Sequence, residues 1–247
     1  MKNSFFDYSD SVDYPIFFDE CTTQSQNRLF AKTIDRYHEY MNWTDIPSRR
    51  LNWNIYETKT GNHIGCIGIS SAVLALGARE NFIGWDKEQK FANLNMIANN
   101  YRYCLIKDNI TIKNTGSMAL KLMRVDGARA WERKYGDRLV LIETFVKPPW
   151  TGSVYKADNW ENLGMTKGNS ISKAPVKMWL EEDSPRGELA RKDLDAALEK
   201  YASYQGGERY KVSKSEPKII LVKPLVRNFR KLLKKTERKS DIVSSNI

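Results

Sequence analysis

Tyr101-Arg-Tyr-Cys-Leu-Ile106, the segment from Thr115 to Tyr135, and Arg138-Leu-Val-Leu-Ile-Glu-Thr-Phe-Val146 decide the fold. The first has the aromatic and branched content of a strand, since a pleated, half-buried surface favours such side chains. The second carries Met118, Leu122, Val125, Arg129 and Trp131 along a helix, and Gly136 supplies a stop. The third is the clearest buried strand in the chain, and Pro148-Pro149 ends it because proline offers no ladder donor. Strand, crossover helix and strand make a βαβ unit with a parallel pair. The expected class is α/β, a mixed central sheet flanked by helices in a single domain.

Outward from that unit, Leu51-Asn-Trp-Asn-Ile-Tyr56 and His63-Ile-Gly-Cys-Ile-Gly-Ile69 flank the turn Thr60-Gly-Asn62 and predict a β-hairpin. Leu29, Ile34, Tyr37 and Met41 recur at helical spacing over 27–41. Ser70 to Gly77 reads as a short helix or turn, Phe82-Ile-Gly-Trp85 as a compact apolar insertion, and Phe91 to Asn100 as helix or strand. Ser184-Pro185 caps a helix running to about Tyr204, where Gly206-Gly207 ends it, and Lys218-Ile-Ile-Leu-Val222 is a last strand. Arg227 to Lys239 is a basic helix or tail, either a solvated phosphate-contacting appendage or a merely soluble one. The expected division is an acidic, aromatic extension at 1–26, partly packed on the body, the domain at 27–225, and the basic tail at 226–247.

A formal charge of +10 and 40 Lys and Arg favour polyanions, because each phosphate they neutralise releases condensed counterions. Nucleic acid is the default partner, and surplus lysine serving solubility alone is the alternative. Three cysteines, Cys21, Cys66 and Cys104, lie far apart with only two histidines in the chain. Neither a disulfide framework nor a metal site is supported. MKNSFFDYSD lacks the basic start of a signal peptide, and no run approaches the ~20 apolar residues of a membrane helix, so a reducing, cytoplasmic setting without membrane contact is expected.

Several segments together resemble one family. Ala78-Arg-Glu-Asn-Phe-Ile-Gly-Trp85, Asn93-Leu94, Asn99-Asn-Tyr-Arg-Tyr103, Trp131-Glu-Arg-Lys-Tyr-Gly136, Leu141-Ile-Glu-Thr-Phe-Val146 and Gly152-Ser-Val-Tyr-Lys-Ala-Asp-Asn-Trp160 are similar, in order and spacing, to the Druantia anti-phage protein A family. The resemblance spans roughly residues 51–168, with a closing strand at 218–225. Tyr155 to Gly164 also resembles, distantly, a segment of Mom-type phage DNA-modification proteins, which have an acetyltransferase-like fold. These resemblances imply a fold like that of the acyl-CoA N-acyltransferases, with the βαβ unit as its acyl-CoA-binding heart.

Such a fold holds the pyrophosphate of acetyl-CoA or another acyl-CoA on backbone N–H groups at a helix start, where dipole and free donors favour anions. Lys113, Asn114, Thr115, Gly116 and Ser117 lie where that loop belongs, with Gly116 permitting close backbone approach. The usual loop has more glycine and a Gln or Arg at its start, and an ordinary helix capped by Asn114 or Thr115 is the competing reading. Asn99, Asn100 and Arg102 surround the first strand, where Arg102 could grip a phosphate or carboxylate and the Asn pair could equally satisfy backbone groups. Glu143 interrupts the apolar run and is either the partner of an arginine such as Arg102 or Arg79 or a general base. Arg79 and Glu80, with Trp85, could line a substrate pocket or form a structural ion pair.

Tyr155 falls where the resemblance places a tyrosine near the leaving thiolate, a general-acid role, while Asn159 and Trp160 could read or stack on a base. Core packing competes for Trp160, and His38 is a lesser candidate. Two functions follow from these residues and the resemblance: a transferase acting on DNA in a phage, anti-phage or mobile-element setting, or a non-catalytic DNA-binding subunit that recruits partner proteins. No compact cluster of metal-nuclease residues is evident.

Overall fold

The computed structural model describes residues 14–46, 48–171, 183–197 and 212–236. The larger of two compact units holds residues up to 164 and from 219 onward; the smaller runs from 165 to 218. The larger unit is built on a seven-stranded mixed sheet. Its strands are β1 (Ile16–Glu20), β2 (Arg50–Glu57), β3 (His63–Ser71), β4 (Ile97–Leu105), β5 (Leu141–Val146), β6 (Glu161–Met165) and β9 (Ile219–Pro224), in the order β1-β2-β3-β4-β5-β9-β6. β1 to β4 run antiparallel, β4 and β5 are parallel, and β5 and β9 are antiparallel. The smaller unit holds a two-stranded ribbon, β7 (Asn169–Ile171) with β8 (Val212–Lys214). It also holds α7 (Pro185–Lys192), capped by Ser184 on the Gly187 N–H, and α8 (Leu194–Ala197). The stretch from 198 to Tyr204 expected as helix, and the Gly206-Gly207 stop, lie outside the described residues, as do Asp7, Asp10, Asp13, Arg238 and Lys239.

Helices cover both faces of the large sheet. On one, α4 (Thr115–Leu122) and α5 (Ala128–Tyr135), joined by a π-helical turn at Met123–Gly127, bury Ala119, Leu120, Met123 and Trp131 against Trp53, Ile67, Ala98 and Ile142. The expected single crossover helix is thus present with one widened turn, and Gly136 ends it at φ 74°. Gly127 leaves room for Trp53, whose ring would lie 3.3 Å from an added Cβ. On the other face, α1 (Gln24–Tyr37) covers Cys66 and Cys104 with Phe30 and Ile34. Beside it α2 (Gly77–Ile83), α3 (Lys87–Asn93) and α9 (Phe229–Leu233) enclose a second cluster around Trp85, Val140 and Val222.

Local chemistry explains where element boundaries depart from expectation. α1 begins at Gln24 because Thr23 and Gln26 form a reciprocal capping box, and it ends before His38, which is extended. Asp86 and Gln89 build another box that starts α3, so the ambiguous stretch 91–100 is a helix end followed, from Ile97, by strand. Residues 82–85 finish α2 with Gly84 left-handed. The basic segment is docked along the part described: Phe229 and Leu233 are buried, and Arg230 donates to the Phe82 carbonyl at 2.9 Å while lying 4.4 Å from the Phe82 ring centroid. Residues 16–20 likewise supply an edge strand to the body.

Glu57 ties the loop before α4 to the β2–β3 hairpin: it accepts the Thr111 N–H at 2.6 Å and the hydroxyls of Thr111 and Thr60 at 2.8 and 3.0 Å. The Thr111 N–H foremost holds its pKa below the usual 4.5. A depressed carboxylate stabilises the fold above its unfolded pKa and loses that contribution as pH falls through the folded value. Glu57→Gln is therefore expected to flatten the decline of the urea midpoint below pH 4.5, while wild type falls more steeply there.

Candidate functional site

β4 and β5 pair only at Ile97, Ala98 and Asn99 against Leu141, Ile142 and Glu143. Beyond Asn99 the strands separate, and the Thr144 hydroxyl, rather than a backbone N–H, donates to the Asn100 carbonyl at 2.9 Å. The gap opens a cleft of about 560 Å3, walled by β4, by Thr144 to Val146, by residues 149–155 and by the end of α1. Tyr40 and Trp150 meet across its rim with ring centroids 4.7 Å apart.

A β-bulge sets what faces the cleft. Asn100 and Arg102 pair with the consecutive residues Ile69 and Gly68, leaving Tyr101 extra. The usual alternation fails across it: Asn100 bonds Tyr155 on the α4 side, whereas Cys104 packs with Phe30 and Ile34 on the α1 side. Arg102 is 7% exposed, and its Nη1 donates to the Tyr101 carbonyl.

Tyr155 stands on α6 (Ser153–Ala157), in the cleft wall, and donates its hydroxyl to Asn100 Oδ1 at 2.6 Å. Asn100 is locked in turn, its amide donating to the carbonyls of Gly68 and Arg102 at 2.9 and 3.0 Å. Burial pushes the Tyr155 phenol well above its ordinary value, so at neutral pH it is a proton donor. Trp160 packs edge-on against Tyr155 and donates to Asp158, which also takes Arg124 at 2.6 Å. Its expected base-stacking role gives way to this packing. Asn159 is exposed, at φ 56°, and does not line the cleft.

Glu143 does not line the cleft that holds Tyr155. It lies fully buried on the α2 face, where Arg79 donates to both of its oxygens at 3.1 and 2.8 Å and the Val73 N–H at 2.9 Å. Burial pushes its carboxyl up, and Arg79 and the Val73 N–H pull it back. Of the two alternatives read from sequence, the arginine partner holds, and the partner is Arg79 rather than Arg102. Glu80 binds Lys90 at 2.8 Å and Trp85 lies under the Arg79 guanidinium; neither lines the cleft. Asn99 stands in register with Glu143, its Oδ1 buried without a partner.

At the start of α4, Asn114 is left-handed at φ 61° and exposed, as is Lys113, and no side chain caps the first-turn amides. Thr115 is buried, donating to the Ile112 carbonyl, and the Ser117 hydroxyl donates to that of Asn114. Gly116 is needed for packing: a Cβ there would meet Val154 at 2.6 Å, and its carbonyl accepts the Tyr103 hydroxyl. The first turn is thus uncapped by any side chain, with Thr115 buried, Gly116 and Ser117 half-buried and α6 packed against its flank. Thr144, Tyr40 and Trp150 escaped the sequence reading; only the proline pair before Trp150 hinted at a shaped loop. Among the described residues no His, Cys, Asp and Glu group could hold a metal ion, and no helix is long and apolar enough to cross a membrane.

Several solved structures are similar to the chain. The ribosomal-protein-S18-alanine N-acetyltransferase of Escherichia coli covers 85% of this chain and 94% of its own at 9% identity and a TM-score of 0.42. FeeM, an N-acyl amino acid synthase from uncultured soil microbes, covers 85% and 90% at 9% identity and 0.41. A GNAT family acetyltransferase from Elizabethkingia anophelis, with acetyl-CoA bound, covers 85% and 98% at 11% identity and 0.37. No curated protein matches the chain. A family model does, that of Druantia protein DruA, over residues 14–174, so with six of the sheet's seven strands, the crossover helix and the cleft inside that span the chain belongs to the Druantia protein DruA family.

Proposed function

We propose that the chain is a transferase of anti-phage defence that takes an acyl thioester into the β4–β5 cleft and passes the acyl group to a nitrogen of DNA. The observation that carries this reading is the early separation of two parallel strands around a cleft with a buried tyrosine hydroxyl in its wall. The size of the cleft suits a pantetheine-sized arm, and the uncapped amides of Thr115, Gly116 and Ser117 would receive the donor's phosphates. Bound there, acyl-CoA supplies an activated carbonyl carbon with a thiolate leaving group. Attack by the acceptor nitrogen forms a C–N bond and breaks the C–S bond. The departing sulfur would take the proton of the Tyr155 O–H, and the proton shed by the acceptor nitrogen as the C–N bond forms would return to the resulting tyrosinate, so that the proton count closes over one turnover. Asn100 orients that hydroxyl, and the Tyr40–Trp150 contact shields the cleft from water. Glu143 takes no part, being consumed by Arg79.

A second reading, a DNA-binding subunit without catalysis, is favoured by the same consumption of Glu143, which leaves, among the described residues, no buried carboxylate base beside Tyr155. Acetyl-CoA separates the two. At about 100-fold over Kd it should stabilise the transferase by roughly 2.7 kcal/mol and raise Tm by about 5 °C or more. DNA co-expressed with the protein should contain nucleosides heavier by one acyl group. Unshifted melting together with unmodified nucleosides would leave the binding subunit alone standing.

A further inference from the structure

Arg49, Arg50, Arg79 and Arg124 each hold a carboxylate, respectively Asp137, Asp45, Glu143 and Asp158. Arg102 does not: among the described residues no carboxylate lies within ion-pair distance of it. Its guanidinium makes one good bond, 2.8 Å to the Tyr101 carbonyl, and a long one of 3.4 Å to the Thr44 hydroxyl. It lies 4.9 Å from the Tyr101 ring centroid, and its Nε is buried without a partner. A guanidinium cannot shed its proton to escape burial, so this charge is held away from water at a cost that no anion of the chain offsets.

Its position gives the cost a use. Arg102 does not itself line the cleft, but it lies against the ring of Tyr101 and between Tyr101 and Tyr103 in the strand, both of which do, and its charge reaches His38 and Tyr40, two further lining residues. The α4 amides assigned to the donor's phosphates belong to the helix layer on the sheet's other face. A second anion would therefore arrive beside Arg102 from the α1 side, with the aromatic rim of Tyr37, Tyr40 and Trp150 next to it. We propose that Arg102 receives one phosphate of the DNA strand whose base is presented to the cleft. This rests on the reading of DNA as acceptor. An excess of ten positive charges brings the strand to the surface, the rim offers rings on which a base can stack, and the guanidinium fork matches two phosphate oxygens.

Fluorescence anisotropy with a labelled single-stranded 12-mer and no acyl donor tests the assignment. Each single-strand phosphate contact contributes about 0.7 to the slope of log Kobs against log salt. Arg102→Gln should lower the slope by about that amount and weaken binding about tenfold at low salt. Arg102→Lys should keep the slope. The unliganded Arg102→Gln protein should melt at or above the wild-type temperature, because an unpaired buried charge is gone. An unchanged slope, no binding by wild type, or a melting temperature that falls together with binding would each overturn the proposal. So would loss of CoA binding with the oligonucleotide unaffected, since the phosphate would then be the donor's. Because no thioester is present, these outcomes stand apart from the success or failure of acyl transfer.

Discussion

Glu143→Gln should lower the unfolding free energy by about 3–5 kcal/mol, seen as a fall in the urea midpoint with an unchanged slope. Both members of the Arg79–Glu143 pair are fully buried, and the substitution removes the one anion, among the described residues, in ion-pair contact with Arg79 apart from Glu80 at 3.7 Å. Arg79 cannot neutralise itself, and it already has Nε without a partner. Arg79→Met leaves a carboxylate that can take up a proton, so its cost should be smaller and should shrink further at acidic pH, where protonation removes the stranded charge. The double variant Arg79→Met/Glu143→Leu should recover most of the loss, because a packed apolar pair needs no compensation. The measurement also decides the role of Glu143. Wild-type stability in Glu143→Gln, coupled with loss of transfer, would return the residue to the chemistry from which the geometry removes it.

That pairing shows why the fold was more legible than the site. The strand, crossover helix and strand at 101–146 were readable because each is a local pattern, an apolar run or a helical spacing closed by Gly136 or by proline. The hairpin at 51–69 was legible for the same reason. β6 was not: it is an edge strand with four of its five residues exposed or nearly so, and no alternation to detect. The early start of α1 depended on the Thr23–Gln26 reciprocity, two polar residues outside the apolar period.

The site failed to assemble from sequence for a different reason. Glu143 and Arg79 are 64 residues apart, so their partnership depends on how α2 packs on β5. The bulge at Tyr101 breaks strand parity, and Asn100 and Cys104, which strict alternation would put on one face, lie on opposite ones. Parity alone cannot then tell which of Asn99, Asn100 and Arg102 meets Tyr155. Gly116 was a further ambiguity, since a glycine tolerated for a ligand and one required by a neighbouring Val154 look alike in the sequence.

Tyr155→Phe is the second large effect expected. If Tyr155 is the general acid of the proposed transfer, its removal should lower kcat for CoA release by about 10²–10⁴-fold, with little change in KM for the donor. The same change strands the Asn100 Oδ1 atom, which accepts only the Tyr155 hydroxyl, at a stability cost of about 1–3 kcal/mol. A fold still intact at the assay temperature separates the two consequences, and Asn100→Asp or Asn100→Leu shows how much of the rate depends on orientation of the hydroxyl. The pH profile supplies the independent readout. Burial raises the Tyr155 phenol well above its ordinary 10.0, so the group remains protonated through pH 8 to 10 and the wild-type rate should show no alkaline fall from it in that range. Asn159→Gly, at an exposed left-handed position outside the cleft, should leave rate and stability within error. If Tyr155→Phe releases CoA as fast as wild type, the wall hydroxyl only braces Asn100 across the strand gap, and the proton must come from water admitted past Tyr40 and Trp150.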